Sequence, residues 1–176
     1  DALLKRMGRQ ITGAPGGWRN GAAAVRQFLR RELGTLGASI QIADGSGMSR
    51  ENRVTARALL GLLRAMHDKP DQGPIFRESL SLAGEDGTLQ RRLDEGMTGT
   101  LYAKSGYLRR VSSLSGYLTH QPGTDSERTI AFVLLFNDFK PPVYVHKIKR
   151  LEDQLVRLLD EHLSHAIAAE TPAVTQ

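Results

Sequence analysis

Cysteine is absent from all 176 residues. That excludes disulfides and thiolate metal sites and leaves the compartment open. No apolar run approaches the ~20 residues that a membrane-spanning helix needs. The chain does not open on a charged-then-apolar leader. It opens on Asp1-Ala-Leu-Leu-Lys-Arg-Met, which reads as the middle of a helix, so a fragment or a processed product is expected. Tryptophan occurs once, at Trp18, and is expected to be a packing anchor. No paired zinc ligands and no aromatic-rich sheet signature are present, which argues against a nucleic-acid partner. The net charge of +5 comes from arginines scattered along the chain and reads as a solvated basic face. Such a face would also suit an anionic polymer.

Two glycine-rich readings are excluded as well. Asp44-Gly45-Ser46-Gly47 is followed by no lysine, so it is not a phosphate loop. The residue two before Ser46 is Asp44 and not glycine, so it is not a nucleophile elbow.

What remains is an ordinary globular composition, 40% hydrophobic and 24% charged, sized for one domain. Leu3, Leu4, Met7 and Ile11 recur at helical spacing before Gly13-Ala14-Pro15. Asn20 is a plausible N-cap for a helix from Gly21 to Leu33, with Ala22, Val25, Phe28 and Leu29 inward and Gly34 as its stop. Ser39 to Ile42 alternates as a short strand would. Thr55 is a fair cap for a helix from Ala56 to His67, with Leu59, Leu62, Leu63 and Met66 inward. Ile75 to Leu82 reads as a short helix. Strands are expected at Leu101–Gly106, Val111–Thr119 and Thr129–Phe136, the first two as a hairpin. Ile148, Leu151, Leu155, Leu158, Leu159 and Leu163 stripe a long helix from about Val143 to Ala166.

The chemistry-bearing stretch is Lys104-Ser105-Gly106, at the end of the first long strand. Such a triplet arises by chance in roughly one chain in ten of this length, and Lys-Ser-Gly is also an ordinary turn. On a strand it has a chemical logic. The lysine places a positive charge where a carboxylate or a transferring proton is held. The Ser105 hydroxyl can bond the same carboxylate. Gly106 lets a substrate backbone lie close.

Four stretches together carry a resemblance. Gly13 to Asn20, Asp44-Gly-Ser-Gly-Met-Ser-Arg50, Leu82-Ala-Gly-Glu-Asp-Gly-Thr-Leu89 and Tyr102-Ala-Lys-Ser-Gly106 occur in order across nearly the whole chain. They resemble the motifs of class C low-molecular-mass penicillin-binding proteins, the D-alanyl-D-alanine carboxypeptidases and endopeptidases of the penicillin-binding protein 4 type. Ser105 stands where threonine is commoner.

The resemblance implies an α/β (α+β) transpeptidase-like domain of the penicillin-binding/β-lactamase type, with an antiparallel sheet flanked by helices. This chain would supply three strands, including the Lys-Ser-Gly edge strand, and the C-terminal helix. Residues 1–168 would be the C-terminal portion of that domain and 169–176 a disordered tail. The family acylates a serine in a Ser-x-x-Lys motif and uses a Ser-x-Asn motif; neither pattern occurs here. Both are expected upstream, on a missing N-terminal segment that would be this chain's partner.

By the same resemblance Lys104, Ser105 and Gly106 form the third catalytic motif, and the N–H of Tyr107 serves the oxyanion hole. Arg50 lies near the pocket for a diaminopimelate side chain, and Leu108 and Arg109 flank the substrate. Asp44, Gly45 and Gly47 shape their loop. The implied activity is hydrolysis of peptidoglycan peptides through an acyl-serine, with β-lactams as inhibitors, no cofactor or metal, no transmembrane segment and a periplasmic location. The chain alone would be inactive. The alternatives are a non-catalytic peptidoglycan-binding relative and a basic nucleic-acid-binding module.

Overall fold

The computed structural model describes residues 1–93 and 95–170. The chain divides into two compact units, Asp1–Lys69 and the residues from Pro70 onward.

In the first unit, α1 (Ala2–Thr12) ends where Gly13 takes a left-handed conformation at φ 71° and its N–H reaches back to the Arg9 carbonyl. Helix α2 (Trp18–Leu33) starts three residues earlier than expected. Asn20 is not its cap but lies in its first turn, where Oδ1 accepts the N–H of Gly17 at 2.7 Å. Because Trp18 opens this helix, its ring is not a packing anchor: it is 54% exposed, with the Lys5 ammonium 4.4 Å from its centroid. A short α3 (Thr35–Ala38) follows. Helix α4 (Ala56–His67) begins as expected, with Thr55 Oγ1 accepting the N–H of Ala58 at 3.1 Å. Leu29, Ile40 and Ala58 form the centre of this unit, with Val25, Phe28 and Leu62 packed around them. The strand expected at Ser39–Ile42 reduces to a single bridge between Gln41 and Arg53. The alternation is real, since Ile40 is buried and Ile42 packs against the same cluster, but both side chains serve a helical core and the segment joins no sheet among the described residues.

The second unit is built on a sheet of order β1-β2-β3-β4, every pair antiparallel. After α5 (Gly73–Glu78) comes β1, only Ser81–Leu82. The sequence placed these two residues at the end of a helix; the helix stops at Glu78 and they pair with Ala103 and Tyr102. The sheet therefore has four strands, where three were expected. A 3₁₀ turn at Gly87–Leu89 leads toward β2 (Thr100–Leu108), β3 (Val111–His120) and β4 (Arg128–Asn137). Strands β2 and β3 are joined by Arg109-Arg110 alone, with Arg110 at φ 64°. Its guanidinium holds that turn by donating to Asp138 Oδ1 at 2.9 Å and to the Phe139 carbonyl at 3.3 Å.

One sheet face carries Leu101, Ala103, Leu114, Leu118 and Phe132, which pack with Leu89, Leu93 and Val156 into the second core. Helix α6 (Val145–Glu170) covers this face. The expected leucine stripe is only partly its buried face. Ile148, Glu152, Val156, Asp160 and Leu163 are buried, whereas Leu151 and Leu158 are 40% and 59% exposed. Two acids therefore sit at core positions, each in a network. The Asp160 carboxylate accepts the N–H groups of Thr98 and Gly99, both at 2.8 Å, and the Thr98 hydroxyl at 3.0 Å. It also lies 2.7 Å from His120 Nε2. Burial pushes its pKa up, but these bonds together outweigh burial and hold it below the usual carboxylate value. Residues 171–176, most of the tail expected to be disordered, lie outside the described residues; 169 and 170 belong to α6.

Candidate active site

Two-residue periodicity sets the two sides of β2. Leu101 and Ala103 are buried, so Ser105 and Tyr107 share their face, while Tyr102, Lys104 and Gly106 share the other. The same periodicity sets the edges. The Leu101 carbonyl accepts the N–H of Ala83, outside β2 on the β1 side. Antiparallel pairing sends both backbone groups of a residue to one edge, so Ala103, Ser105 and Tyr107 also direct theirs to that edge. Strand β1 occupies it only as far as Ala103. Beyond that point no strand among the described residues pairs with it. The open edge therefore begins at the Lys-Ser-Gly triplet and offers the N–H and C=O groups of Ser105 and Tyr107 to an extended peptide.

Lys104 is exposed, and its ammonium donates to the Ser105 carbonyl at 2.6 Å. It has no carboxylate partner among the described residues. The Ser105 hydroxyl lies 2.5 Å from that of Thr88. Gly106 has an internal reason to be glycine besides substrate approach: a Cβ there would come 2.5 Å from Ser113 Oγ on β3. The Tyr107 ring is 57% exposed, with the Lys149 ammonium 5.9 Å from its centroid. Leu108 is half-buried and pairs with Val111, and Arg109 is exposed in the turn. An open groove of about 620 Å³ runs past Tyr107 and Arg109 to Phe139, Val143 and Tyr144.

Arg50 belongs to the other unit, in the turn after Asp44–Ser49, and is exposed. Asp44 organises that loop as expected. Its carboxylate accepts from the Ser46 hydroxyl and Asn52 Nδ2, both at 2.6 Å, and from the N–H groups of Gly47, Met48 and Ser49. These donors, Ser46 and Asn52 foremost, hold its pKa far below the usual carboxylate range. A carboxylate so saturated is a scaffold and is not suited to accept a proton at neutral pH.

Two contributors escaped the sequence reading. Thr88 was visible only as part of a turn motif. Glu152 lay outside the apolar stripe expected of α6, yet it is fully buried. Its carboxylate accepts the Ser112 hydroxyl at 2.7 Å and Arg92 at 3.0 Å. Ser112 is the register partner of Tyr107, so this network reaches the strand that bears the triplet. A buried acid signals itself in sequence only by interrupting an apolar stripe, and by residue type Glu152 is no different from Glu161 of the same helix, which is exposed.

An antiparallel sheet backed by a long C-terminal helix, with a Lys-Ser-Gly strand on its open edge, defines a transpeptidase-like fold of the penicillin-binding class. Residues 1–162 match the D-Ala-D-Ala carboxypeptidase 3 (S13) family, and the chain belongs to that family. It is similar to D-alanyl-D-alanine carboxypeptidase DacB of Haemophilus influenzae, at 29% identity over 85% of this chain and 31% of the relative. It is also similar to the D-alanyl-D-alanine carboxypeptidase of Actinomadura sp. strain R39, at 33% identity over 94% of this chain and 30% of the relative. Among solved structures, penicillin binding protein 4 of H. influenzae, complexed with a novel β-lactam, superposes with a TM-score of 0.73 at 27% identity. That match covers 91% of this chain and 37% of the other. The chain thus spans about a third of the length of the curated relatives it matches. No described helix is long and apolar enough to cross a membrane.

Proposed function

We propose that this chain is the C-terminal part of the transpeptidase-like domain of a serine-type D-Ala-D-Ala carboxypeptidase/endopeptidase. The complete enzyme hydrolyses peptidoglycan peptides in the bacterial periplasm and is acylated by β-lactams. The observation that carries this reading is the coincidence of the triplet with the open half of the β2 edge, together with the family membership. A peptide ending in D-Ala-D-Ala adds to that edge as a strand. Its terminal carboxylate meets the Ser105 hydroxyl and the Lys104 ammonium. The serine nucleophile attacks the carbonyl of the penultimate residue, and the Tyr107 N–H donates to the developing oxyanion. Terminal D-alanine leaves, and water hydrolyses the acyl-serine. The nucleophile comes from residues outside this chain, since the 176 residues hold no Ser-x-x-Lys.

The test is labelling by a fluorescent penicillin together with D-alanine release from a peptidoglycan pentapeptide. The complete protein is expected to do both and the 176-residue chain alone to do neither. A complete protein that binds peptidoglycan but does neither is the non-catalytic relative.

Arg50 extends the reading to the donor side chain. It follows the loop that Asp44 rigidifies and precedes α4, at an exposed position. Its proposed ligand is the free carboxylate of a diaminopimelate side chain, which a planar fork suits better than an ammonium. One such bond contributes about 1.5–3 kcal/mol. Arg50→Ala in the complete enzyme is expected to lower kcat/KM about ten- to a hundred-fold for substrates bearing that carboxylate. It should barely change a simple acyl-D-Ala-D-Ala. Equal losses on both substrates would reduce Arg50 to a loop-holding role.

A further inference from the structure

The turn Leu82 to Leu89 is fixed from three sides and has no task in the mechanism above. Asp86 Oδ1 accepts the N–H of Leu82 at 2.9 Å, and the Asp86 N–H reaches the Leu82 carbonyl at 3.1 Å. Gly87 sits at φ 55°, and a Cβ there would collide with Ser81 Oγ, so glycine is required for both torsion and space. Leu89 is fully buried among Leu93, Leu101 and Ala103. Between the left-handed glycine and the buried leucine, Thr88 is exposed, and its hydroxyl meets that of Ser105 at 2.5 Å.

We propose that Thr88 is a positioning residue for the substrate-carboxylate contact: it fixes the Ser105 rotamer and directs the Ser105 proton toward the open edge. The proposal rests on Ser105 as a carboxylate ligand. A serine hydroxyl carries one proton and can accept two others. If that proton points at Thr88, none is left for a substrate. When an anionic oxygen arrives at the edge, the favourable order is Thr88 O–H donating to Ser105 and Ser105 O–H donating to the anion. Each bond then polarises the next.

The residue type at 105 makes this control necessary. A threonine is stiff at χ1 because of its second Cβ substituent. Serine has three accessible wells, and on the β1 side no strand among the described residues pairs with β2 beyond Ala103, which leaves Ser105 at an open edge. The hydroxyl of Thr88, held by the turn, supplies the restraint that a γ-methyl would otherwise give.

The experiment uses the complete enzyme and compares kcat/KM for an acyl-D-Ala-D-Ala peptide and for its C-terminal amide. Thr88→Val keeps the shape and removes the hydroxyl. It is expected to lower the value for the free-acid peptide about three- to tenfold, the scale of one hydrogen bond, and to leave the amide unchanged. Thr88→Ser restores the hydroxyl and should restore the rate. Ser105→Ala should cost the free-acid peptide about ten- to a hundred-fold, and adding Thr88→Val to it should cost nothing more, because coupled residues do not add. Ser105→Thr should reduce the effect of Thr88→Val. An equal loss on acid and amide, a wild-type rate in Thr88→Val, or a full additional loss on top of Ser105→Ala would each overturn the role of Thr88. A Ser105→Ala variant with no preference between acid and amide would overturn the carboxylate reading of Ser105 and the proposal with it. Thr88→Ser that stays as slow as Thr88→Val would show the loss to be structural.

Discussion

Lys104→Ala in the complete enzyme is expected to slow acylation by a fluorescent penicillin about ten- to a hundred-fold or more, the scale of a charge-assisted bond to the incoming carboxylate. The fold should survive. Lys104 is exposed, its ammonium binds only the adjacent Ser105 carbonyl at 2.6 Å, and no carboxylate pairs with it among the described residues. Surface changes of this kind usually alter stability by no more than about 0.5 kcal/mol. The charge is therefore not needed for the fold, and its proposed role is to meet an incoming anion. Acylation rate and circular dichroism are measured on the same preparation. Near wild-type labelling with a normal spectrum would remove Lys104 from the chemistry, and with it the assignment of this edge as the active site.

The opposite behaviour is expected at Glu152. Its side chain is fully buried, between Ser112 on β3 and Arg92, and Arg92 is itself also bound to Asp153 at 2.6 Å. Removing one partner of a buried pair leaves the other charge and a hydroxyl desolvated, at a cost of about 3–5 kcal/mol. Because Asp153 still faces Arg92, Glu152→Ala should fall near the lower end. Glu152→Gln keeps an acceptor for Ser112 and should cost less. Urea unfolding midpoints at constant slope give the comparison. A loss below about 1 kcal/mol for Glu152→Ala would mean that the pair contributes no net stability. Since Ser112 is the register partner of Tyr107, Glu152→Ala should slow acylation as well as lower stability, whereas Lys104→Ala slows acylation and leaves stability intact.

How much of this was legible differs from element to element. The β2–β3 hairpin was clear because alternation, a short loop and a buried face all agree over Leu101–Thr119. The cap at Thr55 was clear for a similar reason: a hydroxyl immediately precedes an apolar-periodic run. Strand β1 was not legible, since two residues carry no period and Ser81–Leu82 become a strand only because β2 offers them an edge. Asn20 was misplaced by three residues because a polar side chain binds the helix start equally well from the cap position and from the first turn. The inward face of α6 was misjudged at Glu152 and Asp160. Hydrophobicity places acids outside, and the Ser112, Arg92, Thr98, Gly99 and His120 partners make burial tolerable.

For the candidate site, the residue types Lys104, Ser105 and Gly106, their position on a strand and the loop-forming role of Asp44 follow from local chemistry, and local chemistry is written in neighbouring residues. The tertiary structure alone decided that pairing with β1 stops at Ala103, so that the open edge begins at the triplet. It also brought Thr88 to Ser105 and Glu152 to Ser112, pairs separated by 17 and 40 residues. Contacts of that span depend on how the chain closes over a core, and hydrophobic burial, which drives the closure, has no direction of its own. The polar partners that meet across it are fixed by backbone register, which no short window of sequence contains.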